Sequence, residues 1–253
     1  MKSELDALGV VKKFGGLVAL KGVNISVVPS TITMLIGPNG SGKTTLINVI
    51  SGIYKPDEGK VLLRGKDITG LPPHEVYSLG LVRTFQIPSP FLRLTVLENL
   101  MVVAKNQLGE KPISAVFRRR RWMREEEELE EKAFRVMELL HLERLWNRRA
   151  SELSGGQMKL LEIGRALMSD PSIILMDEPV AGVNPKLAYD IMEYITNVRK
   201  ELGISFLIVE HRLDIVLDYV DYVYAMHKGE IIARGPPEEV ISNPSVVRSY
   251  LGG

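Results

Sequence analysis

The sequence predicts an α/β fold organised on an open parallel sheet, and three observations carry that prediction. The apolar run Thr31 to Ile36 leads into Gly37-Pro38-Asn39-Gly40-Ser41-Gly42-Lys43-Thr44-Thr45, and a helix-like stretch, Leu46 to Ile50, follows. From Ser172 onward, short continuous apolar runs alternate with amphipathic helices, as expected of parallel strands covered on both faces. Three apolar strands end in polar groups: Ile36 in the glycine stretch, Met176 in Asp177-Glu178 and Val209 in Glu210-His211. Ligands of open parallel sheets bind outside the carboxyl ends of the strands, so one edge assembles all three sets.

With 253 residues, 45% hydrophobic and 25% charged, the chain is long enough to bury a core in one large domain or a domain with an insertion. A formal net charge of +1 gives no bulk electrostatic case for nucleic acid or an anionic membrane surface. The absence of cysteine excludes disulfides and cysteine-ligated zinc and is compatible with a reducing compartment. Met1 to Leu8 does not read as a signal peptide, and no apolar run approaches a bilayer-spanning length. Work at a membrane therefore requires another subunit to hold this one there.

Before the glycine stretch, Leu5 to Val28 reads as short strands forming an antiparallel sheet, with period-two alternation over Val23 to Val27. Phe14, beside Gly15-Gly16, either stacks on a nucleotide base or packs in the core, and Val18 and Leu20 would extend its apolar wall. After the loop helix, Gly52 suits a C′ position, Pro56 to Gly59 a turn and Lys60 to Gly65 another strand. Two prolines in Thr84 to Pro90 mark a boundary, and helical segments follow, first over Thr95 to Ala104. In the charged stretch around Arg118 to Arg121 and Glu125 to Glu131, Leu129, Ala133, Val136, Met137 and Leu140 form one apolar face. Glu128 with Lys132 and Glu131 with Arg135 make i,i+4 pairs on the other, so this reads as a solvated helix rather than a phosphate-binding patch. Further on come a strand over Ser172 to Met176 and a helix from Pro185, with Asn184 as N-cap and a stripe of Leu187, Ile191, Ile195, Val198 and Leu202. Ile204 to Val209 is the next strand, followed by a hairpin at His227-Lys228-Gly229 and two short helices.

Gly37, Gly42, Lys43 and Thr44 fulfil G-x-x-x-x-G-K-[ST] in the strand-then-helix context the motif requires. Glycines let the backbone wrap with its N–H groups inward at a helix N-terminus, which suits a phosphate. Lys43 would reach the β- and γ-phosphates, and the Thr44 hydroxyl would be one ligand of Mg²⁺. Asp177 at its strand end suits metal binding, directly or through water, and Glu178 suits polarising the water that attacks the γ-phosphate. His211 would contact the γ-phosphate and orient that water, while Gln86 would reach Mg²⁺ or the water through its side-chain amide. His74, His141 and His227 have no comparable setting. A second candidate anion site lies at Ser154, Gly155, Gly156 and Gln157, ahead of a helix over Met158 to Met168. One chain with one catalytic edge has no use for two cradles; two chains facing each other do.

With these motifs in this order, the sequence resembles the ATP-binding subunits of ABC transporters along essentially its whole length. The stretches are the Walker A loop Gly37 to Thr45, the Q-loop glutamine Gln86, the signature Leu153 to Gln157, Walker B ending at Asp177-Glu178, the D-loop Ala181 to Asn184 and the switch histidine His211. The resemblance implies a RecA-like P-loop NTPase core with an N-terminal antiparallel β subdomain, residues 1–87 and 166–253, and an inserted α-helical subdomain, residues 88–165. It implies ATP with Mg²⁺ held between one chain's Walker A loop and Ser154, Gly155, Gly156 and Gln157 of a second ATPase subunit, identical or related. It places Phe14 at the base-stacking position and links Gln86 to a transmembrane permease. The chain would sit in the cytoplasm, peripheral on the inner membrane face, with no nucleic acid partner.

Within that family the chain is most similar to the ATPases of branched-chain amino acid importers, through Thr84 to Pro88, Thr95 to Asn99, Ala181 to Pro185, the charged helix and the ending Asn243 to Gly252. An extracytoplasmic substrate-binding protein would be an indirect partner. Asn184 stands where an aspartate is usual, removing a charge from the dimer-facing loop, and Arg212 stands where an aspartate commonly follows the histidine. A soluble ABC ATPase of translation or DNA maintenance would carry a second ATPase unit or a long coiled-coil insertion, and neither is visible. A P-loop kinase would leave Leu153 to Gln157 and His211 without a role.

Overall fold

The computed structural model describes residues 3–84, 89–105 and 119–251, with side chains omitted at 119–122 and 251. The chain forms two compact units, one of Met1–Gln86 with Ser172–Gly253 and one of Ile87–Pro171.

Two sheets make up the first unit. Strands β1 (Leu5–Phe14), β2 (Leu17–Val27), β4 (Glu58–Leu63) and β5 (Lys66–Asp67) form an antiparallel sheet in the order β2-β1-β4-β5, while β3 (Ile32–Ile36) enters the other. That second sheet adds β6 (Leu81–Thr84), β7 (Ile173–Asp177), β8 (Ser205–Val209), β9 (Tyr222–His227) and β10 (Glu230–Gly235) in the order β10-β9-β3-β8-β7-β6. Five of its strands run parallel, and only β10 pairs antiparallel, through a short hairpin. The parallel strands are buried on both faces, which explains their continuous apolar sequences: every residue of β3 and of β8 is buried.

One hydrophobic cluster joins the two sheets. Leu5, Ala7, Val10, Val23 and Ile25 face it from the antiparallel sheet, and Leu35, Leu175, Leu207 and Val209 from the parallel one. Leu46, Ile47 and Ile50 of the helix Lys43–Ile50 belong to the same cluster. That helix begins three residues earlier than its apolar stretch predicts, because Gly42 is its N-cap. Strand β4 likewise starts at Glu58, inside the predicted turn, where Gly59 at φ +89° comes against the Gly9 carbonyl.

Asn184 caps the helix Pro185–Leu202 as predicted, accepting from the Leu187 N–H at 3.0 Å. Its buried face is Ala188, Ile191, Met192, Ile195 and Val198, whereas Leu187 is half-buried and Leu202, in the last turn before the left-handed Gly203, is exposed. The predicted stripe thus drifts off the packed face at both ends.

The second unit contains the helices Val96–Met101, Arg119–Leu139 and Gly155–Leu167. Thr95 and Glu98 close a capping box on the first, and Ser154 and Gln157 close one on the third, which starts at Gly155 rather than Met158. The helices meet at Gly164, where a β-carbon would stand 2.9 Å from Leu100 Cδ2 and 3.2 Å from Leu140 Cδ1. Ala133, Val136, Met137 and Leu140 are buried as the periodicity predicts. Glu131 and Arg135 pair at 3.7 Å, but Lys132 reaches Asp170 at 2.7 Å and the Met168 carbonyl at 2.8 Å instead of Glu128. A tertiary partner that also offers a carbonyl outcompetes an exposed pair on the same helix. The side chains of Arg118 to Arg121 lie outside the described residues.

Candidate functional site

Strand β8 lies between β3 and β7, with Leu35 and Asp177 both opposite Val209, so the segments after Ile36, Asp177 and Val209 leave the sheet side by side. They border a cleft of about 550 Å³ in the first unit. Phe14, Val18, Asn39, Gly40, Ser41, Gly42, Lys43, Thr44 and Thr45 line it, together with Asp177, Glu178 and His211. Gly37 and Pro38 contribute from behind, through carbonyls that accept from Lys43 Nζ at 2.7 and 3.1 Å. Gln86 lies outside the described residues, and Ser154, Gly155, Gly156 and Gln157 belong to the second unit.

The loop between β3 and its helix requires glycine at both ends. A β-carbon on Gly37, at φ +150°, would fall 2.1 Å from the Met226 carbonyl oxygen, and one on Gly42, at φ +108°, would fall 2.9 Å from that of Ala19. The hairpin between β9 and β10 braces this loop. Gly229 N–H donates to the Ser41 carbonyl at 2.9 Å, and the Gly229 carbonyl accepts from Lys21 N–H at 2.9 Å. Among the described residues no side chain caps the helix at Gly42, so its first-turn amides face the cleft with the positive end of the helix dipole. Ser41 Oγ is buried with no hydrogen-bond partner among the described residues, and an anion in the cleft would satisfy it.

Lys43 is only 6% exposed. Desolvation pushes its pKa below the ordinary lysine value, against the opposing fields of Glu178 and Asp177. Asp177 ends β7 and pairs with Arg83, whose Nη2 lies 3.3 Å from Asp177 Oδ2 and whose Nη1 donates to Asn48 Oδ1 at 2.5 Å. Glu178 adopts the left-handed conformation at φ +54°, uncommon outside glycine, and its N–H donates to the Val209 carbonyl at 2.8 Å. This backbone turns the side chain into the cleft, where His211 Nε2 stands 3.5 Å from Glu178 Oε1.

Phe14 is 42% exposed, which removes the core alternative for it. Its ring meets Tyr54 edge-on at 5.3 Å between centroids, and Lys12 Nζ lies 5.5 Å from its centroid. Val18 and Leu17 extend an apolar wall beside it, whereas Leu20 is fully buried beneath.

Sequence reasoning gave no role to Arg83, Asn48, Lys21, Lys228 or Glu210, of which Lys21 and Lys228 line the cleft. A charged residue within the short apolar run Leu81 to Thr84 is the one signal that marks Arg83 as needing a buried partner.

No group of three or more His, Cys, Asp or Glu side chains among the described residues would hold a metal ion. The Thr44 hydroxyl and Asp177 carboxylate nonetheless offer hard oxygen donors on the cleft wall, the sparse protein donor set that Mg²⁺ uses when phosphate and water complete its shell.

Comparison with known proteins decides the family. The family model described as ABC transporter matches residues 20–181, a span that includes the loop, the signature and Asp177. The chain belongs to the ABC transporter ATP-binding family. A second model, Branched-chain amino acid ATP-binding cassette transporter, matches residues 230–253 of this cassette. The cassette is 54% identical over 248 residues to the probable branched-chain amino acid transport ATP-binding protein LivG of Archaeoglobus fulgidus, covering 98% of this chain and 95% of that one. It is 38% identical over 248 residues to the high-affinity branched-chain amino acid transport ATP-binding protein LivG of Escherichia coli K12, covering 98% and 97%. Among solved structures, the ADP conformation of an ATP-binding cassette of an ABC transporter superimposes with a TM-score of 0.85 at 50% identity, covering all of both chains. The cassette is thus an ATPase with a RecA-like P-loop core. Among the described residues, none of its helices is long and apolar enough to cross a membrane.

Proposed function

We propose that this cleft binds ATP with Mg²⁺ and that hydrolysis there powers a permease importing branched-chain amino acids. One observation supports the site assignment above the rest: Lys43, Asp177, Glu178 and His211, drawn from three separate strand ends, line a single cleft with the glycine loop. Phe14 and Val18 take the base, and Gly37 to Thr45 wrap the phosphates, with the Lys43 ammonium as their point charge. Thr44 and Asp177, with Gln86 from the segment before the second unit, would hold Mg²⁺, which neutralises charge on the phosphates when bound. The Glu178 carboxylate accepts a hydrogen bond from the attacking water and takes its proton as the γ-phosphoryl group leaves the β-phosphate. His211 orients that water and donates to a γ-phosphate oxygen.

Ser154, Gly155, Gly156 and Gln157 complete the site from a second ATPase subunit, where the capped helix N-terminus meets the γ-phosphate. Residues 88–165 act as the helical subdomain and residues 1–87 with 166–253 as the core. A transmembrane permease holds the cassette at the inner face of the membrane, and an extracytoplasmic binding protein delivers leucine, isoleucine or valine.

Reconstitution of the cassette with the permease that co-purifies with it tests this reading. Phosphate release that rises when the binding protein is loaded with a branched-chain amino acid supports it. A rate indifferent to all such amino acids would remove the substrate assignment, and a Glu178→Gln variant that still hydrolyses ATP would remove the site assignment.

A further inference from the structure

The loops after β7 and β8 carry the Glu178–His211 pair, and one buried carboxylate joins them. Glu210 is 1% exposed. Its Oε1 accepts from the Val180 N–H at 2.8 Å, and its Oε2 accepts from the N–H groups of His211 at 2.8 Å and Arg212 at 3.2 Å. A carboxylate removed from water is costly unless its oxygens are satisfied, and here three backbone donors from two loops satisfy them.

Further bonds stitch the same segments. Glu178 N–H donates to the Val209 carbonyl at 2.8 Å, and Ala181 N–H donates to the Glu178 carbonyl at 3.1 Å. Arg212 Nη1 donates to the Val183 carbonyl at 3.3 Å. This gives Arg212 a use that an aspartate at that position would lack. Residues 178–183 and 209–212 are thereby fastened at several points, with Glu210 between them. The fastening matters because Glu178 sits at φ +54°, a conformation that is strained for a non-glycine residue and persists only where its surroundings impose it.

We propose that Glu210 is a positioning residue for hydrolysis: its carboxylate holds the loop of Glu178 and the loop of His211 in one register, fixing the separation of the catalytic pair. Glu210 does not line the cleft, so it acts through those two residues and not on the nucleotide. The loop Ala181 to Asn184 is joined to the His211 segment separately, through the Arg212 bond to the Val183 carbonyl. This inference rests on the ATPase assignment of the cleft given above.

The Glu210→Gln variant tests it. An amide keeps the volume but offers one acceptor oxygen, and its NH₂ group opposes a backbone N–H. The expected result is a kcat lower by about 100-fold, the scale of an ångström-sized misplacement of a reacting group, with ATP affinity and KM within about twofold of wild type. In a double-mutant cycle, Glu210→Gln costs less in the His211→Ala background than in the wild type, because part of what it positions is already gone. If the Gln variant does not fold, Glu210→Asp, which keeps the charge but is too short to bridge both loops, takes its place with the same expected split. A kcat within about twofold of wild type, a loss confined to ATP affinity, or full additivity with His211→Ala overturns the proposal. Glu178→Gln serves as the control: if it still turns over ATP, the base assignment fails, and the Glu210 result stands or falls by its own cycle with His211.

Discussion

His211 Nε2 lies 3.5 Å from Glu178 Oε1, although the two residues are separated by the whole helix Pro185–Leu202 and strand β8. The pairing arises because β7 and β8 are adjacent and both strands end at the same level of the sheet. His211→Ala should lower the ATP turnover number by about 100-fold, in the range that general acid–base and water-orienting groups contribute, while leaving nucleotide affinity nearly unchanged. Steady-state phosphate release together with equilibrium titration of a fluorescent nucleotide checks both parts.

Arg83 connects the edge strand β6 to Asp177 through an ion pair whose side chains are 11% and 16% exposed. Replacing it with methionine leaves a poorly solvated carboxylate without its partner and Asn48 without a donor. Arg83→Met should cost about 2 kcal/mol of stability, and it should raise the Mg²⁺ concentration needed for tight nucleotide binding, because Asp177 is no longer held in one orientation. Urea unfolding with an unchanged m-value, followed by Mg²⁺ titration of nucleotide binding, measures the two effects.

Burial places the Lys43 pKa below that of an ordinary lysine, and this fixes the sign of two pH effects. Between the lowered folded value and the unfolded value of 10.5, the unfolded chain binds more protons at this group. The lysine's contribution to the stability of the nucleotide-free protein therefore rises with pH through that window. Phosphate binding needs the ammonium, so affinity falls through the same window, starting below the pH at which an exposed lysine titrates. A Lys43→Arg variant, whose guanidinium does not titrate, should keep whatever affinity it has across the window, and nucleotide binding measured against pH makes the comparison.

The exposed face of Phe14 should carry base recognition. Phe14→Ala is expected to weaken ATP binding by about 1 kcal/mol, or roughly fivefold, and Phe14→Tyr to leave it near wild type. Inorganic tripolyphosphate has no base, so its competition for the site should be unaffected by either substitution.

Much of this site was legible in the sequence because a phosphate loop is a local object. Gly37, Gly42, Lys43 and Thr44 lie within eight residues, and their spacing states the backbone geometry that the structure then displays. Asp177, Glu178 and His211 were legible for a related reason: each comes at or just after the end of a short, mostly apolar strand, and parallel strands deliver their ends to one edge. Arg83, Asn48 and Glu210 escaped because their roles depend on which strands are neighbours, and β6 beside β7 or β7 beside β8 leaves no mark in composition or spacing. The Lys132 contact to Asp170 was missed on similar grounds, since helix periodicity knows only the partners on the same helix. Helix starts at Lys43 and Gly155 fell earlier than predicted because glycine-rich turns hide the first turn of the helix they introduce.

If Glu178 is the base of a composite site completed by a second ATPase subunit, its amide variant should trap the ATP-bound dimer. Sedimentation of the Glu178→Gln variant with and without saturating ATP tests it most directly, because the amide keeps the shape of the site while removing its ability to take a proton. A shift from monomer to dimer that requires ATP and persists without phosphate release is the predicted result. A variant that stays monomeric in saturating ATP, or that releases phosphate at the wild-type rate, would contradict the claim.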